Sequence, residues 1–197
     1  MTKQLKYSLF FPAFYFCLFN LFSQPQTVDS LFLALQTAGE DTNKVNILNN
    51  LSKKLFLKGS YDSSQAYAEK AKSISLKLNF KKGIANAYNN LGLICYYKSE
   101  YDLALKNHAI ALKLREEEGD KQSIAASHNN IAIVYYYQSN YPEALKNHFA
   151  ALKLRQAIND EVGMAGSYNN VGLVYFELGN YPEALKNYFS ALKVKEK

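Results

Sequence analysis

Asparagine and tyrosine are the side chains whose types and spacing could do chemistry in this chain. The pairs Asn49-Asn50, Asn89-Asn90, Asn129-Asn130 and Asn169-Asn170 lie 40 residues apart, and so do Tyr61, Tyr101, Tyr141 and Tyr181. A carboxamide offers both a donor and an acceptor, so it can pair with the N–H and C=O groups of a peptide. Tyrosine adds apolar area with a polar tip. The pattern therefore indicates recognition chemistry, repeated along the chain.

The sequence shows no signature of an enzyme or of a cofactor site. It contains no glycine-rich phosphate loop and no HExxH pattern. Its two cysteines, Cys17 and Cys95, are far apart in the chain. His108 and His148 share one repeat position with Tyr188, an exchange that favours planar core side chains over metal ligands. We therefore predict a non-enzymatic protein with no metal and no cofactor.

The charge pattern argues against nucleic acid as a partner. The net charge of +6 is mild, and lysines recur along the second half of each repeat without interleaved aromatic residues. We expect this lysine stripe to be a solvated outer face: Lys106, Lys113, Lys146, Lys153, Lys186 and Lys193.

The elements that position these side chains follow from the 40-residue period. Segments 101–115, 141–155 and 181–195 are nearly identical, and a period of this size is typical of a stacked repeat array. Each copy contains two stretches with apolar residues at three- and four-residue steps, which predicts two helices and an all-α fold. The predicted units are a capping helix within 24–40, copies at 41–80, 81–120 and 121–160, and an incomplete copy at 161–197.

Residue types at the ends of the copies predict how the helices stop and start. Gly39, Asn79, Gly119 and Asn159 punctuate successive copies, and both types tolerate the left-handed conformation that ends helices. Asp120 and Asp160 follow as candidate N-caps. Pro142 and Pro182 lie at the start of a second helix, where a missing N–H costs nothing. Gly92, Ala132 and Gly172 share a small-residue slot at which paired helices can approach closely.

At Leu91-Gly92, Tyr101, Ala104 and Ala111, and one and two periods later, the sequence resembles the tetratricopeptide repeat family. The resemblance covers about residues 41–197, although copy 41–80 diverges at Ser52, Ser64 and Lys72. It implies a right-handed superhelical solenoid of antiparallel helix pairs, with first helices lining an inner groove. It also implies that a protein or peptide binds in that groove.

A helical wheel assigns the groove residues. The face opposite the core carries these candidate peptide-binding residues: Asn86, Asn89, Asn90, Leu93, Tyr96, Tyr97, Asn129, Asn130, Ile133, Tyr136, Tyr137, Asn169, Asn170, Leu173 and Phe176. Two roles stay open for the asparagines, namely contact with a ligand or structural hydrogen bonds between copies. Relatives that hold a C-terminal carboxylate place Lys or Arg where this chain has Asn46, Asn86, Ala126 and Gly166, so we expect no such clamp.

The first 23 residues have the pattern of an export signal. Lys3 and Lys6 precede an apolar run from Leu9 to Phe19, which is shorter than the roughly 20 residues that span a bilayer. Cleavage after Ser23 would give an exported, periplasmic or secreted protein, and an uncleaved membrane anchor is the alternative. Phe16 directly before Cys17 argues against lipidation.

Together these patterns predict an exported peptide-binding scaffold, and the resemblance to exported tetratricopeptide repeat arrays implies that it is the sensory or interaction part of a bacterial signalling system. The alternative is a structural module that self-associates through its incompletely covered C-terminal copy.

Overall fold

The computed structural model describes residues 27–195, and the predicted export signal lies outside the described residues. Within that range the chain forms helices and no strands, which confirms the all-α fold class. The helices are α1 (Val28–Thr37), α2 (Thr42–Leu57), α3 (Tyr61–Lys77), α4 (Lys81–Tyr97), α5 (Tyr101–Glu118), α6 (Lys121–Tyr137), α7 (Tyr141–Ala157), α8 (Glu161–Glu177) and α9 (Tyr181–Lys195).

The helices pack as four antiparallel pairs, α2–α3, α4–α5, α6–α7 and α8–α9, each against the next. The first helices of neighbouring pairs also touch, α2 with α4 and α4 with α6. They therefore lie on the inner side of the solenoid, and the second helices lie outside. Helix α1 packs Val28 and Leu31 against Ile47, Leu51 and Leu55 of α2.

The turns follow the predicted punctuation with one exception. Asn79, Gly119 and Asn159 adopt positive φ, at 51°, 73° and 54°. The prediction for Gly39 is wrong, because α1 ends at Ala38 with extended backbone and Gly39 has no positive φ. There the chain turns one residue later, where the Asp41 N–H donates to the Gly39 carbonyl.

The predicted N-caps are confirmed. The Asp120 carboxylate accepts from the backbone N–H groups of Gln122 and Ser123, and the Asp160 carboxylate accepts from that of Gly163. Each cap satisfies N–H groups that the first turn of a helix leaves without a partner.

The small-residue slot is filled by a planar ring from the paired helix. A Cβ atom at Gly92 would lie 2.6 Å from the ring of His108, and one at Gly172 would lie 2.7 Å from the ring of Tyr188. The divergent first pair has the opposite arrangement. Its slot position holds the larger Ser52, and its ring position holds the small Ala68. The slot and the ring position therefore compensate each other in volume.

The divergent serines of the first pair are hydrogen-bonded to each other. Ser52 and Ser64 are fully buried, and the Ser64 hydroxyl donates to the Ser52 carbonyl at 2.7 Å.

Across residues 27–195, no helix has the combination of length and apolar character that crossing a membrane requires.

Candidate functional site

A cavity of about 250 Å³ opens on the inner face across the second, third and fourth helix pairs. Six of the predicted groove residues line it, together with His148 from α7: Tyr96, Ile133, Tyr136, Tyr137, Asn170 and Leu173. Aliphatic and aromatic walls with a few polar groups are typical of a site that takes an organic side chain. The structure thus brings residues from three first helices to one point.

Tyrosines form one wall of this cavity and continue along the edge of the solenoid. The Tyr96 and Tyr137 rings meet at 5.2 Å between centroids, and the Tyr136 and Tyr137 rings at 5.4 Å. On the other side, Tyr96 contacts Tyr97, whose ring lies 4.8 Å from that of Phe56. Burial raises the pKa of Tyr96, with a smaller contribution from Tyr137, so the Tyr96 phenol stays uncharged at neutral pH.

The remaining predicted residues lie outside the cavity. Tyr97 is 56% exposed and Phe176 is 52% exposed, and Phe176 packs against Tyr181 at 5.5 Å. Leu93 is half-buried and Asn169 is exposed.

The paired asparagines bond between neighbouring copies. Asn90 Nδ2 donates to the Asn49 carbonyl at 3.0 Å, and Asn130 Nδ2 donates to Asn89 Oδ1 at 3.0 Å. One copy later, Asn170 Nδ2 donates to Asn129 Oδ1 at 2.9 Å. The structural role left open by the sequence is therefore present in these contacts, and contact of the same asparagines with a ligand stays a prediction.

A buried arginine joins this inner face from a second helix. Arg115, in the last turn of α5, is 7% exposed. Its Nη1 donates to Ser127 Oγ at 2.7 Å, to the Ser123 carbonyl at 3.3 Å and to Asn89 Oδ1 at 3.4 Å. Its Nη2 donates to Asn86 Oδ1 at 3.2 Å. Two predicted groove asparagines thus share one guanidinium.

Sequence reasoning missed Arg115, although a signal was present. Arg115 and Arg155 occupy the same position of successive copies, and each is followed twelve residues later by serine, Ser127 or Ser167. Arg155 repeats the contact, since its Nη1 donates to Ser167 Oγ at 2.6 Å. A positively charged residue that recurs together with one hydroxyl partner indicates a buried hydrogen bond rather than a solvated stripe.

The histidines of the second helices are buried and neutral. His108 is fully buried and His148 is 2% exposed. Burial, and then the nearby Arg115, lowers the pKa of His108 to about 4, and burial and Arg155 do the same for His148. His108 therefore fills the core as predicted, whereas His148 also reaches the cavity wall. Among residues 27–195, no three His, Cys, Asp or Glu side chains converge on one point.

The lysine stripe is exposed at each of its six positions, as predicted. Lys146 and Lys186 pair with Glu143 and Glu183 three residues earlier on the same helix. Exposed pairs of this kind contribute little to stability, and they leave the outer face well hydrated.

Comparison with known proteins places this arrangement in a family. A tetratricopeptide repeat model matches residues 83–157 and 123–197. No curated protein matches the chain. Among solved structures, BtubC (BKLC) from P. vanneervenii is 22% identical with a TM-score of 0.73, over 85% of this chain and 70% of that one.

Two further solved structures share the fold. A Rap protein complexed with Competence and Sporulation Factor is 18% identical, with a TM-score of 0.79 over 85% of this chain. A STAND protein with a tetratricopeptide repeat sensor from Pyrococcus horikoshii is 22% identical, with a TM-score of 0.75 over 85% of this chain. The chain spans 47% of the Rap chain and 26% of the STAND chain.

These likenesses establish the solenoid fold, and the family model covers more than half of the sequence. The repeat is a scaffold for protein interaction, built here from the α4–α5, α6–α7 and α8–α9 pairs. The chain belongs to the tetratricopeptide repeat family.

Proposed function

We propose that this protein binds a peptide or an extended protein segment along the inner face formed by α4, α6 and α8. The observation that supports the proposal is the cavity of about 250 Å³ lined by six of the predicted groove residues. An apolar or aromatic ligand side chain fits such a cavity, because Ile133 and Leu173 supply apolar contact and the tyrosines supply flat walls.

The ligand backbone has partners beside the cavity. Asn170 lines the cavity and its Nδ2 has a second N–H besides the one donated to Asn129 Oδ1, while Asn169, the next residue of α8, is exposed. Carboxamides can donate to peptide carbonyls and accept from peptide N–H groups without selecting a side chain. In this arrangement the cavity sets the specificity and the asparagines set the direction of the bound segment.

A pair of double variants tests this proposal. The variant Tyr137→Ser with Leu173→Ser removes two exposed side chains that line the cavity. The matched control, Leu185→Ser with Phe189→Ser, changes two exposed residues of α9. A display library of random 12-residue peptides is selected on the unchanged protein, and the selected peptides are then titrated against each variant. We expect the cavity variant to lose at least tenfold in affinity while helicity and thermal midpoint stay within a few degrees. Equal affinity for both variants would contradict a groove site.

We further propose that the protein works outside the cytoplasm, as the interaction or sensory part of a signalling system. The support for export is the pattern of residues 1–23 alone. The support for a sensory role is that similar folds occur in a STAND protein with a tetratricopeptide repeat sensor and in a Rap protein complexed with Competence and Sporulation Factor. The intact mass of the exported protein checks this, with a chain that begins near Gln24 as the expected result. A membrane fraction with residues 1–23 still attached would contradict cleavage.

Self-association is a second candidate function, favoured by the exposed side of α9. Leu192 is 55% exposed, whereas its equivalent Leu152, covered by α8, is 6% exposed. Leu185 and Phe189 are 55% and 66% exposed. The proposed occupant is a second copy of this chain. Light scattering should show a concentration-dependent rise in mass that the Leu185→Ser, Phe189→Ser variant abolishes.

A further inference from the structure

One polar side chain of the groove cavity has unused hydrogen-bonding capacity. His148, on the second helix α7, lines the cavity of about 250 Å³ on the inner face. It is 2% exposed, and its Nδ1 atom has no hydrogen-bond partner among residues 27–195. Buried polar side-chain atoms in proteins are nearly always hydrogen-bonded. A partnerless imidazole beside a cavity therefore indicates a place for a polar group that enters the cavity from outside.

The equivalent histidine one copy earlier shows why His148 reaches the cavity. His108 is fully buried against Gly92, where an added Cβ atom would lie 2.6 Å from the ring. The third pair has Ala132 at that slot, and the Cβ atom of Ala132 excludes the imidazole from the position that His108 takes. His148 is thus displaced from the slot toward the groove. His108 also has ring nitrogens without a partner, but it lies outside this cavity and is a matched control.

The charge state of His148 determines which ligand group can bond to it. Burial, and then the positive charge of Arg155, lowers the pKa of His148 to about 4. At neutral pH the ring therefore carries one N–H donor and one acceptor nitrogen. A hydroxyl group can bond to either nitrogen, because it both donates and accepts. A charged ligand group would lose its hydration beside Ile133 and Leu173, so a neutral hydroxyl is the better partner.

The walls of the cavity fit a flat ring that would carry this hydroxyl. The Tyr137 ring lies 5.2 Å from that of Tyr96 and 5.4 Å from that of Tyr136, while Ile133 and Leu173 add aliphatic contact. Aromatic rings pack well edge to face against such walls. An apolar cavity of about 150 Å³ binds benzene, so the larger volume here has room for a ring with a polar substituent.

We propose that His148 makes the cavity selective for a tyrosine side chain of the bound segment, by hydrogen bonding to the phenolic hydroxyl. The inference rests on the proposed groove function, and it names the ligand group that the cavity takes. Phenylalanine brings the same ring to the cavity but leaves the His148 imidazole without a partner. A site that bonds a hydroxyl rejects the analogue that lacks it, because the buried polar atom of the site then stays unpaired.

Two neutral probes that differ by one hydroxyl test the selectivity. N-acetyl-tyrosinamide and N-acetyl-phenylalaninamide are titrated against the full chain at pH 7, and the ¹⁵N resonances of the histidine rings are followed. We expect saturable shifts at His148 and at least fivefold tighter binding of the tyrosine probe. A hydroxyl loses water when it enters the cavity, so a cavity without a partner for it would prefer the phenylalanine probe. The sign of the preference is therefore the readout.

Two matched variants assign the preference to one imidazole. His148→Leu removes the ring at the cavity, and His108→Leu makes the same change at the equivalent buried position outside it. We expect His148→Leu to reverse the preference toward the phenylalanine probe, and His108→Leu to retain the preference for tyrosine. Far-UV circular dichroism and the thermal midpoint verify that each variant folds. The shift of the His148 resonance in the unchanged protein gives the result independently of either variant.

Three results would overturn the inference. They are equal or tighter binding of the phenylalanine probe by the unchanged protein, a tyrosine preference that survives in folded His148→Leu, and saturation by neither probe. Failure of the groove function is a separate result, since it is measured with the library-selected peptides and the Tyr137→Ser, Leu173→Ser variant. Selected peptides that need the cavity but bind equally well after replacement of their tyrosines by phenylalanine would support the groove and overturn the selectivity.

Discussion

Two junctions between helix pairs contain the same arginine contact. They differ in whether a carboxylate lies close to the guanidinium. The Arg115 junction joins α5 to α6, and the Arg155 junction joins α7 to α8. In each, Nη1 donates to a buried serine hydroxyl and to a backbone carbonyl of the next first helix, at Ser127 and Ser123 or at Ser167 and Gly163. The repeated contact ties successive copies together.

One position explains the difference between the junctions. A Cβ atom at Gly163 would lie 2.6 Å from Asp160 Cγ, so glycine there allows the Asp160 carboxylate to approach Arg155. Ser123 occupies the same position in the Arg115 junction, and its hydroxyl binds Asp120 instead. A single side chain in the first turn of a helix thus decides whether the buried cation is paired within the protein.

Removal of each arginine should show the largest contrast. Arg115→Leu leaves two side-chain acceptors, Ser127 Oγ and Asn86 Oδ1, without a donor in a buried place, so we expect the free energy of unfolding to fall by about 3 kcal/mol. Arg155→Leu should cost about 2 kcal/mol, because it leaves fewer orphaned groups and its acid is partly exposed. Urea denaturation measures both. A larger loss in the free energy of unfolding for Arg155→Leu than for Arg115→Leu would contradict the difference between the two junctions.

The first junction supplies a control for Arg115→Leu. There the arginine position is Ser75 and the matching hydroxyl position is Ala87, and both are buried. Arg115→Ser combined with Ser127→Ala reproduces that arrangement. It should recover at least half of the stability lost in Arg115→Leu, since the hydroxyl acceptor is removed together with its donor.

Acid should destabilise the protein through the two histidines beside these arginines. The pKa of His108 is about 4 when folded and about 6.5 when unfolded, so the unfolded chain binds more protons between these values. The free energy of unfolding is therefore unaffected above pH 6.5 and falls as the pH drops toward 4. We expect a loss of about 2 kcal/mol per histidine between pH 6.5 and 5, with His148 behaving alike.

His108→Tyr isolates one of the two contributions. The fourth pair already accommodates this ring, since Tyr188 packs against Gly172 as His108 packs against Gly92. Urea denaturation at pH 5 and pH 7 should give the variant about half of the acid sensitivity of the unchanged protein. The same pH slope in both would contradict the burial of an uncharged His108.

The sequence predicted the helices and much of the cavity because both depend on local periodicity. Helix α1 lies within the capping segment predicted at 24–40, and the wheel placed Tyr96, Ile133 and Leu173 on the inner face. The wheel treats each helix alone, so it could not show that Arg115 from α5 reaches residues of α4 and α6. The prediction of a left-handed turn at Gly39 was wrong for a related reason. The turn after α1 depends on how helix α1 packs against α2.

Gly163→Ser should convert the Arg155 junction toward the other type. The added side chain displaces the Asp160 carboxylate, which loses its approach to Arg155 Nε. We expect a loss of about 1 kcal/mol in the free energy of unfolding, the size of a partly exposed ion pair plus local repacking. Denaturation in low and high salt measures it. A loss that stays the same at both salt concentrations would show that repacking alone accounts for the change.

Ser123→Gly is the reverse change and should have the smallest effect on stability. It removes the hydroxyl that holds Asp120 and opens the space that Gly163 provides at the other junction, so the carboxylate can turn toward Arg115. Loss of a hydrogen bond and of a helix former offsets the new charge pair, and the net change should stay within about 0.5 kcal/mol. Urea denaturation in low and high salt measures the change. A loss as large as that of Gly163→Ser in a stably folded variant would mean that the Asp120 carboxylate does not turn toward Arg115.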